Sequence, residues 1–263
     1  IDAAEAGDEV RVAAGTYGYG AVSDPDGGTN RIVVAKQIEV VGVDGAEHTV
    51  IAGSGAVSGP PIRGAYVSNA VLRGFTLTGG RAEQGGGAFC SDGAEIRECF
   101  VIENEADSGG GVSGPIPAES IFGVVDRCVI RNNRARSGGG VYGIERVSGS
   151  DVVGNTAGSG GGLAFVPQVS TCFIYKNSAD SSCGGISSFL EGSVVENSTI
   201  VSNRSSSLAG GVFIAGEIID CDISWNVTAG GGGGAFALHT KMIRDCSFTG
   251  NEAGSGGAIK SGA

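Results

Sequence analysis

Seven asparagines recur along this chain with gaps of 29, 22, 22, 26, 23 and 25 residues: Asn104, Asn133, Asn155, Asn177, Asn203, Asn226 and Asn251. Five residues before each stands a small side chain, in order Cys99, Cys128, Ser150, Cys172, Ser198, Cys221 and Cys246. Two residues after each comes Ala106, Ala135, Ala157, Ala179, Ser205, Thr228 or Ala253. A glycine pair follows, from Gly110 and Gly111 to Gly256 and Gly257. A period of this length is the mark of stacked repeats. One repeat cannot bury its apolar face alone; a stack of them buries a continuous core.

Three positions per repeat are small or apolar at fixed offsets. The first is Val71, Ile96, Val125, Val147, Val169, Val195, Ile218 and Ile243; the second is the Cys/Ser position, with Gly74 in the earliest copy. The third is Thr76, Val101, Ile130, Val152, Ile174, Ile200, Ile223 and Phe248. The step of two from the second to the third is strand alternation. The step of three before it needs a bend. β-Branched residues alternate with glycine and no helical period survives, so short strands joined by bends are expected. The asparagine belongs at a bend, where it tolerates a left-handed backbone and its amide can bond the asparagines above and below. The glycine pairs mark a second corner, needing positive φ or close backbone approach. After them Ala88, Val112, Val141, Leu163, Ile186, Val212, Ala235 and Ala258 are expected to point inward.

These features resemble the right-handed parallel β-helix of the pectin-lyase-like superfamily. The segment from Ala6 to Tyr17 (AGDEVRVAAGTY) is similar to an opening rung, and that from Leu72 to Gly80 (LRGFTLTGG) to an inner one. The stretch FTGNEAGSGGAI, from Phe248 to Ile259, is similar to the repeats of polymorphic outer membrane proteins. The resemblance implies an all-β solenoid. It leaves activity open, because such solenoids serve as enzymes and as passive surface proteins.

One domain is expected over 1–263, with irregular coils over 1–66 and regular asparagine-ladder coils over 67–263. Residues 1–8 read as the remnant of a capping helix. Residues 10–12, 32–34, 38–41 and 50–51 read as early strands. Loops at 17–30, 53–62 and 114–123 interrupt the pattern. About nine or ten coils, spaced about 4.8 Å, make a rod of about 45 Å. The chain begins without Met and stops inside a fresh repeat, so a fragment of a longer protein is expected.

The net charge of −11 argues against nucleic acid and anionic membranes as partners. No apolar run is long enough to span a membrane. The seven cysteines show no CxxC spacing, which disfavours zinc. The ladder members Cys99, Cys128, Cys172, Cys221 and Cys246 would stack side by side, a poor direction for disulfides. They are expected as reduced, small, buried side chains; Cys90 and Cys183 lie off the ladder.

Asp220, Asp222 and Asp245 would share one outer face, and such clusters raise a pKa, recruit calcium or form a glycosidase pair. His239 falls on the far side of that coil. Asp24 and Asp26, in DPDGGTN, have a calcium-loop flavour but lack the distant glutamate. Arg97 and Glu98 should stack on Asp126 and Arg127, pairing opposite charges between coils. The sequons at Asn203 and Asn226 fall on the ladder, where no glycan fits.

Two readings follow. One is a non-catalytic structural or adhesive protein of a bacterial surface, as a filament subunit or passenger segment, needing no cofactor. Its partners would be further coils, its own ends, or carbohydrate. The other is a polysaccharide lyase or hydrolase; the lyases of the family resembled use calcium-binding aspartates with a catalytic Arg or Lys. The repeat regularity and the scarcity of long loops favour the first.

Overall fold

The computed structural model describes residues 1–53, 60–115, 121–237 and 241–261. They form an all-β parallel β-helix. One sheet has ten strands, one from each coil, running from Gly15–Tyr17 through Phe100–Ile102 and Phe173–Tyr175 to Ser247–Thr249. A second has seven, from Arg81–Gln84 to Val227–Thr228. A third, of nineteen strands, takes the remaining segments of each coil. Each coil pairs in parallel with the next, as in Val101↔Ile130 and Ile96↔Val125.

Inward residues stack in files that fill the core. Leu72, Ile96, Val125, Val147, Val169, Val195 and Ile218 form one file, and Leu77, Val101, Ile130, Val152, Ile174, Ile200 and Ile223 another. All are almost wholly buried. The earliest copy differs from expectation by one residue: Leu72, Phe75 and Leu77 point inward, where Val71, Gly74 and Thr76 were expected. Gly74 is itself the corner, at φ +77°. Likewise Ile259, and not Ala258, pairs with Ala235. A slip of one residue reverses a strand's faces, so it matters locally even when the period is right. No capping helix forms over 1–8, which make two turns before the strand Glu9–Val12. The other early strands are Thr29–Val34, Glu39–Gly42 and Thr49–Ala52.

Both corners follow one rule. The residue just before each ladder position, not the ladder residue, has a positive φ: Glu103, Asn132, Gly154, Lys176, Ser202, Trp225 and Gly250 before the asparagines. Glu98, Arg127, Gly149, Thr171, Asn197, Asp220 and Asp245 do the same before the Cys/Ser file. The bend turns the next N–H out of the sheet ladder, and a buried N–H must find an acceptor. The side chain one coil on supplies it. Thus the N–H of Asn104 donates to Asn133 Oδ1 at 3.0 Å, and the relation repeats to Asn251. Each asparagine Nδ2 also donates to the next Oδ1 and to a core-strand carbonyl, for Asn177 that of Val152.

The Cys/Ser file works the same way. Phe75 N–H meets Cys99 Sγ at 3.5 Å, Cys128 N–H meets Ser150 Oγ at 3.0 Å, and Cys172 N–H meets Ser198 Oγ at 3.1 Å. These side chains are therefore corner caps as well as fillers. All seven cysteines are free, and only Cys246 is less than fully buried. Burial pushes the thiols of Cys90, Cys99 and Cys183 up to about 12 and those of Cys172 and Cys221 to about 11. Thiolates react and thiols do not. Native thiol labelling is accordingly expected to modify Cys246 at most, and denaturant to expose the other six. Rapid native labelling of Cys128 or Cys221 would contradict this.

The glycine pairs serve close approach. At Gly161 a Cβ would lie 2.5 Å from the carbonyl oxygen of Ser178 and 2.6 Å from that of Gly184. Positive φ belongs instead to the glycine before several pairs, such as Gly160 at +64°.

Candidate binding face

The outward rows of the seven-stranded sheet carry charges of both signs. In one row Arg81, Glu105, Arg134, Thr156, Ser178 and Arg204 lie side by side in successive coils. Two residues further along each strand come Glu83, Asp107, Arg136, Gly158 and Asp180. Four arginines thus face four carboxylates, so this face is neutral on a chain of net charge −11. The inward residues Ala106, Ala135, Ala157 and Ala179 are small.

Three hollows follow the same face. One of about 350 Å³ is lined by Asp24, Asp26, Gly28, Arg63, Arg81, Glu83, Gln84 and Phe89 among others. A second of about 190 Å³ shares Pro61, Arg81 and Ala82 with it and reaches Asp107. A third of about 250 Å³ lies further along, between Arg134 and Asp180.

The first hollow owes its wall to the irregular segment 17–30. Val22–Ser23 pairs antiparallel with Thr29 and Asn30, and a turn with Gly27 at φ +85° joins them. Asp24 is buried and accepts hydrogen bonds from Gly28 N–H at 2.8 Å, Asp26 N–H at 3.0 Å, Asn30 Nδ2 at 2.9 Å and Arg63 Nη1 at 2.7 Å. Arg63 Nη1 also reaches Asn30 Oδ1 at 2.8 Å, and its Nε donates to Gln84 O at 2.9 Å. Burial alone pushes the Asp24 carboxyl up, but the bonds from Asn30, Gly28 and Arg63 outweigh it and hold it below the ordinary value. Asp24 therefore acts as the counterion of a buried arginine. Asp26 lines the hollow beside that network, with its side chain bonded to Tyr66.

Asp220, Asp222 and Asp245 are all exposed, and Asp245 binds Arg244 Nη1 at 2.7 Å. Asp220 and Asp245 occupy positive-φ corners, a place where aspartate is tolerated better than most residues. Asp222 lies beyond the corner, in the strand Asp222–Ser224 beside Ser247. Among the described residues no group of three or more His, Cys, Asp and Glu is arranged to hold a metal ion. His239 and residues 116–120 of the 114–123 loop lie outside the described residues.

The expected pairing between coils is half present. Arg127 Nη2 meets Glu98 at 3.1 Å, but Arg97 turns to Glu95 on its own strand instead of Asp126. The face of the seven-stranded sheet was missed at the sequence level. Its signal was available: the alternating Arg and Glu/Asp at a constant offset after the ladder asparagines.

No helix among the described residues is long and apolar enough to cross a membrane. No family model matches the chain, and no curated protein does. The A-module of mannuronan C-5 epimerase AlgE4 from Azotobacter vinelandii is similar in backbone path, with TM-score 0.43, 14% identity, and coverage of 97% of this chain and 91% of that one. The A-module of the AlgE6 epimerase from the same organism gives TM-score 0.33 and 15% identity over the same shares. Both likenesses concern the fold alone.

Proposed function

We propose that the chain is a non-catalytic adhesive β-helix of a bacterial cell surface or its surroundings, and that its seven-stranded sheet binds polysaccharide. The observation that carries this reading is the row of hollows along a charge-neutral face of an otherwise acidic rod. Coils repeat about every 4.8 Å, close to the advance of one sugar in an extended glycan, so successive coils can meet successive units. Arginine, threonine, serine and carboxylate side chains there supply both donors and acceptors for hydroxyl groups.

Co-sedimentation with insoluble neutral and acidic polysaccharides tests it. Retention is expected, with no shortening of the polymer, no unsaturated ends and no change of sugar configuration on long incubation. Arg134→Ala with Arg136→Ala is expected to weaken retention about tenfold, equivalent to about 1.4 kcal/mol. A chemically altered polymer would replace this reading with a catalytic one. Failure to retain any polysaccharide would remove it.

A further inference from the structure

The seven-stranded face is neutral as a whole but not along its length. Its first two coils carry Arg81, Glu83, Glu105 and Asp107, one guanidinium against three carboxylates. The next four carry Arg134, Arg136 and Arg204 against Asp180 alone. Beyond Arg204 the row continues through Val227 to Glu252. A short basic stretch thus lies between acidic ones on a chain of net charge −11.

The charges of this stretch are uncommitted. Arg134, Arg136, Asp180 and Arg204 are exposed, and none pairs with another described side chain. Glu105, the register neighbour of Arg134, lies 4.0 Å from Arg81 in the coil before. Between Arg134 and Asp180 the long side chains give way to Thr156, Gly158 and Ser178, which opens the hollow of about 250 Å³ over the small residues Ala135 and Ala157. No larger residue fits at Gly158, where a Cβ would lie 2.8 Å from the carbonyl oxygen of Arg136. In the row Arg134, Thr156, Ser178, Arg204 the two arginines stand three coils apart, about 14 Å, on either side of two hydroxyl groups. An anionic oxygen group seated over Thr156 and Ser178 meets a guanidinium from each side and hydroxyl donors from below. A polymer charged at every unit would also set anions against Glu83, Glu105 and Asp107 on one side and Glu252 on the other, and like charges brought together are costly.

We propose that the stretch from Arg134 to Arg204 seats one acidic unit, bearing a carboxylate or a sulfate ester, of a heteropolysaccharide whose acidic units are spaced among neutral ones, and that a homopolymer of uronic acid is disfavoured. This rests on the polysaccharide-binding reading above and adds a charge pattern to it. The test is calorimetric titration of the whole chain with a neutral hexasaccharide, the same with a single uronic acid unit, the same with a single sulfate ester, and one built of uronic acid throughout. At least one singly charged form is expected to bind about tenfold more tightly than both the neutral and the fully charged forms, about 1.4 kcal/mol, and to lose that advantage as salt is raised. Which of the two does so identifies the acidic group. Arg134→Gln with Arg204→Gln is expected to abolish the advantage over the neutral form; both residues are exposed, so the thermal midpoint should not move. Glu105→Gln with Asp107→Asn is expected to tighten binding of the fully charged form about tenfold. Equal binding of neutral and singly charged forms, or a preference of the unaltered chain for the fully charged one, would overturn the spaced-acid inference while polymer retention still upheld the binding face. If neither hexasaccharide nor polymer bound, both would fall.

Discussion

Replacing Arg63 by alanine is expected to lower stability by about 3–5 kcal/mol, because it strands a buried carboxylate. The Asp24 side chain is 1% exposed and that of Arg63 is 9%. Removal also takes away the bonds to Asn30 Oδ1 and Gln84 O and the contact with the Phe89 ring. Asp24→Leu combined with Arg63→Met should recover much of the loss, since a buried pair replaced by apolar groups is often tolerated. Equilibrium denaturation of the three variants checks this; a single mutant within 1 kcal/mol of wild type would contradict it. Acid gives a second readout. The Asp24 carboxyl is held below its unfolded value near 3.9, so its contribution is present above that pH and is lost as pH falls through the lower folded value. Asp24→Asn should therefore flatten the fall in stability below about pH 4.

Asn177→Ala comes next, at about 3 kcal/mol. Its side chain makes four hydrogen bonds: Nδ2 to Val152 O at 2.8 Å and to Asn203 Oδ1 at 3.0 Å, and Oδ1 from the N–H and Nδ2 of Asn155, each at 3.0 Å. Alanine leaves the Asn155 N–H and the Val152 carbonyl buried without these partners, and an orphaned buried polar group is worth about 1–3 kcal/mol. The thermal midpoint should drop by about 6–10 °C for a chain of this size. Asn132→Gly is the matched control. It lies one residue before a ladder position, is exposed, and has φ +56°, which glycine adopts freely. A midpoint for Asn177→Ala equal to that of the control would remove the ladder from the account of stability.

The two sites differ in how far they could be read from the chain. The ladder was legible because each member repeats at a period, and inward stacking follows from period alone. What the period could not fix was phase. Gly74 was taken as the ladder member of its coil when it is the corner before Phe75, and the left-handed residue was placed at asparagine when it falls one earlier. The residues at that corner, such as Glu103, Lys176 and Trp225, carry no common chemistry, because their backbone is dictated by neighbours and not by their own preference. The Asp24–Arg63 pair was illegible for a different reason. It joins residues 39 apart through a hairpin that belongs to no repeat. Asp220 and Asp245 share their left-handed corner with Glu98, Arg127 and Asn197 of other coils, so the period alone gives these aspartates no chemical meaning. The hollows depend on side chains from three or more coils lying abreast, which becomes visible only once the register is known.

The ladder has a direction. In every step Nδ2 of one asparagine points to Oδ1 of the asparagine one coil later, and never the reverse. Seven amide dipoles therefore lie head to tail inside the wall, all but that of Asn251 shielded from water. Hydrogen bonds arranged in such a file polarise one another. The wall then responds electrically as a single object, and an amide flanked on both sides strengthens its neighbours more than one flanked on one side. The same substitution should weaken the rod more at Asn177 than at Asn251, by an amount that burial alone does not explain.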